Sequence, residues 1–340
     1  MHGRSLFSGQ YVVPPIQGNK TLTDISVVIP ARNAAETIAQ TLRSVLDQDR
    51  LAEIIVVDDG STDATVAIVT AIRDLRIRVI PGPRTGIANA LNSGFRAATS
   101  CYVARCDADD LYLPGRLREQ ADWLNRNLHY IAVSGGFLSI DRKGNRLAEL
   151  ACQGPDRDVT DVLQNGQAVT HLCTWLMRRE AVLASGGARS WFETAEDIDL
   201  QVRLAFQGHI WHAPGPVYGY RLHEASITHS RKAAQLAFYD QAVKAFAAER
   251  RATGTDALDR GEPPQLPDFQ ITAGGQNYAT NQIVGHLTSQ AWADFRRGRR
   301  GEGIKSILRA LARQPFRGNL WKSLLLMLTR SLSGQGGPKG

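Results

Sequence analysis

From Ile25 onward, short β-branched runs alternate with stretches whose apolar residues recur at helical spacing. Ile25 to Ile29 reads as a strand, and Ile38, Leu42 and Val45 at i, i+4 and i+7 predict the helix after it. Asn33 followed by Glu36 is a capping-box pattern at that helix start. The scheme then repeats. Ile54 to Val57 precedes a helix through Val69 and Ile72, and Ile77 to Ile80 precedes one marked by Ile87, Leu91 and Phe95. Tyr102 to Cys106 precedes a helix through Leu117, Ala121 and Leu124, with a further strand at Tyr130 to Val133. Strands joined by crossover helices predict an α/β fold, a mostly parallel sheet flanked by helices. Farther on, Asp141 to Gln167 has no clear period, and Trp191 to Gly208 returns to helix with Ile198, Val202 and Phe206 on one stripe. Ala252 to Asp268, with three prolines and two glycines, reads as a linker or long loop before a helix near Gln276 to Phe295.

Composition narrows the class. A chain of 340 residues, 43% hydrophobic and 21% charged, can bury a core without metal or disulfide staples. No apolar run is long enough for a membrane span, and Met1 to Lys20 has no apolar core of signal-peptide length, so a cytoplasmic location is expected. Cys101, Cys106, Cys152 and Cys173 match neither a zinc pair nor an oxidised framework, and read as reduced thiols. The net charge of +7 is uneven. Phe295 to Gly340 holds eleven bases and one acid, a balance of +10, which leaves about −3 for the rest.

Open α/β sheets bind ligands beyond the carboxyl ends of their strands, and two acidic clusters fall there. Asp107-Ala108-Asp109-Asp110 is compatible with a turn and helix cap. Three carboxylates in four residues also repel one another and call for a cation, and one or two carboxylates plus phosphate oxygens suit Mg²⁺ or Mn²⁺. Asp58-Asp59-Gly60-Ser61 is by itself an ordinary Asp-Gly turn with a helix cap, but it ends the neighbouring strand of the same crevice.

Five segments together carry a resemblance: Val28 to Asn33, Val56 to Asp63, Gly86 to Gly94, Tyr102 to Pro114 and Ala195 to Leu200. Their order and spacing resemble glycosyltransferase family 2, inverting nucleotide-sugar enzymes of the GT-A (Rossmann-like) fold, over about Ile25 to Ser230. The resemblance implies a catalytic domain at 24–230, an N-terminal extension at 1–23 and a mostly helical C-terminal region at 231–340. It implies a nucleotide-sugar donor, expected to be a UDP-sugar, and a glycan or lipid-linked acceptor in cell-surface polysaccharide synthesis. Pro30, Ala31, Arg32 and Glu36 would line the nucleoside pocket. Asp58 would accept from the uracil imide, with Asp59 beside it. Arg84 and Asn92 would contact the donor. Asp107 with Ala108 would hold the ribose or assist the metal, and Asp109 would ligate the Mn²⁺ or Mg²⁺ that bridges the diphosphate. Asp110 is a weaker candidate. Glu196-Asp197 would be the acidic pair, with Asp197 the general base. Arg221 and His223 lie where the family often carries Arg-x-His near the diphosphate, which adds His223 as a metal candidate, while His229 reads as an ordinary histidine.

Other classes fit less well. A dinucleotide oxidoreductase should show G-x-G-x-x-G where this chain has Pro30-Ala31-Arg32-Asn33, and no P-loop motif exists. A nucleotidyltransferase should open with a Gly-rich, Arg-containing loop. A non-catalytic nucleotide-sugar-binding protein should have lost acidic positions that are all present. For the tail, two readings stand: a basic amphipathic pair across 295–332 on an anionic membrane surface, peripheral at the inner face, or a helical hairpin packed on its domain. Nucleic-acid binding is not expected, because aromatics are few and no fold signature accompanies the charge.

Overall fold

The computed structural model describes residues 25–222, 233–267 and 278–332. The alternation read from the sequence becomes β1 (Ile25–Ala31), α1 (Ile38–Leu46), β2 (Leu51–Asp58), α2 (Thr65–Ala71), β3 (Ile77–Pro81), α3 (Ile87–Ala97) and β4 (Tyr102–Arg105). Then come β5 (Leu111–Tyr112), α4 (Arg116–Arg126), β6 (Tyr130–Ile140), β7 (Arg146–Leu150), β8 (Arg157–Asp158) and α5 (Thr160–Gln164). After a 3-10 turn at Leu172–Thr174 follow β9 (Leu176–Arg178), α6 (Arg179–Ala184), α7 (Glu196–Ala205) and β10 (His209–Arg221). Four helices complete the described chain: α8 (Ala233–Thr253), α9 (Tyr278–Arg296), α10 (Arg300–Arg313) and α11 (Gly318–Leu332).

The sheet runs β3-β2-β1-β4-β9-β6-β10-β5, with β7 on β6 and β8 on β10 outside that path. The first four strands are parallel. Beyond β4 the sheet is mixed: β9 runs antiparallel to both β4 and β6. The parallel half is therefore the part whose strands are joined by crossover helices, as the hydrophobic periods require. Val28, Ile55, Val57 and Val103 from this half pack with Leu91 and Phe95 of α3 and Leu200 and Leu204 of α7. Each such fully buried side chain contributes about 1.5–3 kcal/mol relative to exposure. At Gly94 a Cβ would lie 2.2 Å from Val28 Cγ1, so α3 can approach β1 this closely only with glycine there.

The capping box expected at Asn33 and Glu36 does not form. Helix α1 starts at Ile38, and Asn33 has φ 53°. The amides ahead of the helix are satisfied across the crevice instead: Asn33 N donates to Ser61 Oγ at 3.0 Å, Ala34 N to Thr65 Oγ1 at 2.8 Å and Ala35 N to Asp63 Oδ2 at 3.0 Å.

The chain forms two compact units. One comprises, among the described residues, 25–137, 151–218 and 233–267; the other comprises 138–150, 219–222 and 278–332. The expected boundary at 230/231 thus does not hold as a line in sequence, because α8 belongs to the first unit. Its Tyr239, Val243 and Phe246 join Phe192 and Val202 in one apolar cluster. Nor is 254–267 simply a linker. Asp256 is buried and receives Arg189 at 3.0 Å and Arg250 at 2.8 Å, while both arginines also reach Asp259. In the second unit, Val284, Leu287 and Ala291 of α9 pack with Ile307, Ala310 and Leu311 of α10 and Leu320, Leu324 and Met327 of α11. None of the four cysteines, all among the described residues, forms a disulfide. No helix among the described residues is long and apolar enough to cross a membrane.

Candidate active site

The crevice at the carboxyl ends of β1 to β4 is built from interlocked loops. Asp58 ends β2; one of its oxygens accepts from Ser61 N at 3.0 Å, which closes the Asp-Gly turn, and the side chain remains half-buried. Gly60, at φ 89°, lets the Arg84 side chain lie across the turn: a Cβ at Gly60 would stand 3.1 Å from Arg84 Cγ. Asp59 points the other way. Buried, it accepts from Arg84 N at 2.6 Å and Gly86 N at 3.1 Å. Both of its oxygens accept from the loop after β3, so Asp59 positions Arg84. Pro30 and Ala31 line the end of β1, and Arg32 and Glu36 are exposed just beyond it.

Asn92, expected to contact the donor, is hydrogen-bonded within the protein. Its Nδ2 donates to Ala188 O at 2.7 Å and its Oδ1 accepts from Ala188 N at 2.8 Å, which ties α3 to the loop after α6.

The turn after β4 is held from three sides. Ala108 O accepts from Thr37 Oγ1 and Thr41 Oγ1 at 3.0 Å each, and Asp110 N donates to Asp107 O at 3.1 Å. Tyr218 Oη donates to Asp110 Oδ2 at 2.8 Å and accepts from Asp107 N at 3.0 Å. Asp110 is buried in that contact, which makes it part of the frame. Asp107 and Asp109 remain half-buried at the crevice.

Arg105, the last residue of β4, joins the two acidic motifs. Its Nε and Nη2 donate to Asp107 at 2.6 and 3.2 Å, and its Nη1 donates to Glu196 Oε1 at 3.3 Å. Burial works against its charge, but the carboxylates of Asp107, Glu196 and Asp197 outweigh that effect and keep the guanidinium protonated. Glu196 lies at the first turn of α7 and is only 6% exposed. Burial pushes its carboxyl up to about 7, the charge of Asp197 adds to the rise, and Arg105 opposes it. Asp197 is half-buried beside it. The residue before them, Ala195, has φ 67°. With Asn33 and Arg84 it makes three non-glycine residues at positive φ on these loops, a concentration of backbone strain expected where a site is held in a fixed shape.

Three groups had escaped the sequence reading. Arg105 is one, Tyr218 is another, and His171 is the third. His171 is exposed with its ring edge on Phe137 at a centroid distance of 4.7 Å. Surrounding protein lowers its pKa, with Asp197 and Asp107 opposing and Arg105 reinforcing, so the imidazole is neutral at pH 7. Arg221 is buried in the second unit, where its Nη1 donates to Arg142 O at 2.7 Å. His223 and His229 lie outside the described residues.

The profile of glycosyl transferase family 2 matches residues 26–184. EpsE of Bacillus subtilis, described as a glycosyltransferase, is 34% identical over 208 residues, which are 59% of this chain and 70% of EpsE. The succinoglycan biosynthesis protein ExoO of Rhizobium meliloti is 39% identical over 134 residues, 38% of each chain. Among solved structures, S. aureus TarS 1-349 in complex with UDP-GlcNAc aligns with a TM-score of 0.54 at 16% identity, covering 86% of this chain and 92% of that 1-349 chain. That likeness is one of fold, whereas the match to EpsE extends to sequence across most of its length. With the acidic turns of β2 and β4 and the pair at α7 gathered in one crevice, the chain belongs to glycosyltransferase family 2.

Proposed function

We propose that this glycosyltransferase moves a sugar, with inversion, from a UDP-sugar to a hydroxyl of a glycan or lipid-linked acceptor in cell-surface polysaccharide synthesis, using Mn²⁺ or Mg²⁺, at the inner face of the cytoplasmic membrane. The observation that carries the proposal is the Arg105 bridge, which holds the Asp107 turn and the Glu196-Asp197 pair in one crevice at the strand ends. The names of ExoO and of the TarS complex support the polysaccharide setting and the UDP-linked donor.

Asp58 keeps an oxygen for a uracil imide, and Arg84 lies where a diphosphate would need a cation. The donor set suits a divalent ion shared with substrate. Among the described residues no three His, Cys, Asp or Glu gather to hold a cation unaided, and a site of one or two carboxylates completed by phosphate oxygens needs no such group. Asp109 would be the main ligand, because Asp107 already receives Arg105 on both oxygens. When bound, the ion supplies Lewis-acid stabilisation to the departing diphosphate. Asp197 takes the acceptor proton. Its partner Glu196 is engaged by Arg105 and buried, which leaves Asp197 as the more accessible carboxylate.

Calorimetry with UDP should show tighter binding with Mn²⁺ than with a chelator, and Asp109→Ala should remove the difference. Equal affinity with and without metal would overturn the metal assignment. Asp197→Asn should leave UDP binding intact and lower UDP release from a cognate donor by roughly 10²-fold. Unchanged turnover would place the base elsewhere.

A further inference from the structure

The second unit has more apolar surface than its core uses. On α11, Leu320, Leu324 and Met327 point into the core shared with α9 and α10. The adjoining arc, about 100° round the helix, is apolar too: Trp321, Leu325 and Leu328, at i, i+4 and i+7, are 53%, 63% and 41% exposed, and Leu326 is exposed as well. At the turn from α10, Phe316 is wholly exposed. The Trp321 indole N–H donates to Pro315 O at 2.7 Å, which fixes its ring against the turn that carries Phe316. Of nine large exposed apolar side chains among the described residues, six fall between Leu308 and Leu328, so this is a patch and not scatter.

The charge around the patch is mostly of one sign, with Asp141 of the same unit close enough to Arg313 to feel its charge. Arg300 to Leu332 contains seven bases and a single acid, Glu302, whose carboxylate is already paired with Lys305 at 2.8 Å. Arg313 and Arg317 flank Phe316 and, with Asn281, Gln314 and Pro315, line a shallow concavity. Arg317 is held there, donating to Gln314 Oε1 at 2.9 Å, while Gln314 in turn donates to Asn281 at 2.7 Å.

We infer that the α10–α11 turn and the outer face of α11 form a docking surface for an anionic phospholipid bilayer. Phe316, Trp321 and Leu325 enter the interface while Arg313, Arg317 and Lys322 meet lipid phosphates. An apolar row without acids, edged by arginines whose stems lie along the surface, matches the headgroup boundary on both counts. The core of the unit narrows the simple membrane reading of the tail: Ile307 and Leu311 of α10 are buried, and the exposed apolar residues are Leu308, Phe316 and those of the outer face of α11. The inference deepens the membrane placement proposed above and rests on it. The donor chemistry does not depend on it.

The test is cosedimentation of the full chain with vesicles of phosphatidylglycerol and phosphatidylcholine, or of phosphatidylcholine alone, with UDP binding measured on the same samples. Binding should favour the anionic vesicles by at least tenfold and fall in 0.5 M salt, since each base near such a surface is worth roughly fivefold. The variant Phe316→Ser/Trp321→Ser/Leu325→Ser and the separate variant Arg313→Gln/Arg317→Gln/Lys322→Gln should each lose at least tenfold while keeping UDP affinity. The charge variant alters only exposed side chains, so it decides the matter if the apolar variant misfolds. No vesicle binding, equal binding to neutral lipid, or unchanged binding by the charge variant would overturn the inference. So would a wild-type dimer that the apolar variant converts to monomer, which would assign the patch to a second copy of this chain. Vesicle binding that fails while UDP binding persists would refute this surface and leave the donor reading standing.

Discussion

Replacing Glu196 by glutamine should change how stability depends on pH, in a direction the Arg105 bridge dictates. In the native state the Glu196 carboxyl is raised from 4.5 to about 7, mainly by burial, with Asp197 adding to it and Arg105 opposing. A group whose folded pKa is raised contributes its full stability below the unfolded value, and that contribution is lost as pH climbs through the folded one. The window therefore runs from about pH 4.5 to about pH 7. At 1.36 kcal/mol per unit, the wild type should lose about 3 kcal/mol across it that Glu196→Gln does not lose. For a chain of this size that corresponds to roughly 5 °C in melting temperature. The Arg105 pairing lost with the Glu196 charge is already contained in the folded value, because Arg105 is one of the groups that set it. Asp107 still holds the guanidinium by two hydrogen bonds. The assay is thermal unfolding of both proteins, without donor or metal, from pH 4.5 to 8.5. The variant's melting temperature minus the wild type's should rise through the window and then level off. A difference that stays flat would mean Glu196 ionises normally, and the description of a buried, charge-crowded acid at the first turn of α7 would be wrong.

Two further perturbations probe the frame of the site. Asp59→Asn turns one of the two acceptors for Arg84 N and Gly86 N into a donor facing an N–H. It should cost about 1–3 kcal/mol in a denaturant titration and weaken UDP binding about tenfold through the displaced Arg84 loop. An unchanged UDP affinity would show that the loop does not position the donor. Asp256→Ala leaves Arg189 and Arg250 to share Asp259, with Asp199 a further partner for Arg189 at 3.5 Å, and should cost about 3 kcal/mol in the same titration. A loss below about 0.5 kcal/mol would show that 254–267 is the loose linker its prolines suggested.

The parallel half of the sheet was readable because most of it obeys one rule. A strand buried on both faces shows as a β-branched run and a crossover helix as a 3.6-residue period; β1 and β2 show the first and α1 and α3 the second, while β3 keeps its β-branched run as an edge strand with no fully buried residue. Of the antiparallel half, only the start of β6 at Tyr130 to Val133 and the helix that is α7 were readable. Helix α5 is five residues long and β8 only two, too short for any period to register. The placement of α8 was missed for a different reason. Its partners Phe192 and Val202 lie in another element, and no local pattern in Ala233–Thr253 says which surface it will cover. The prolines of 263–267 were a true signal of irregular backbone, but they say nothing of Asp256, which is anchored by arginines distant in sequence or on the preceding helix.

Within the site, the acidic residues were legible as a set and less so one by one. An Asp-Asp pair at a strand end looks the same whether its members face ligand or loop. Only the folded chain separates Asp58, with one oxygen on its own turn, from Asp59, with both oxygens on the turn next door. Arg105 did leave a trace in the sequence. It stands in Tyr102-Val103-Ala104-Arg105-Cys106, a strand too apolar to face water, and an arginine there is stable only with carboxylates close enough to compensate its desolvation. Asp107 is two residues away and supplies one. A second was owed, since a single acid that is also expected to meet a diphosphate-bound cation cannot serve both continuously. Glu196, the other acid that α7 brings to the end of β4, meets that need. The charge balance of one buried strand residue thus ties the turn after β4 to the first turn of α7, and it sets Glu196 in place beside Asp197.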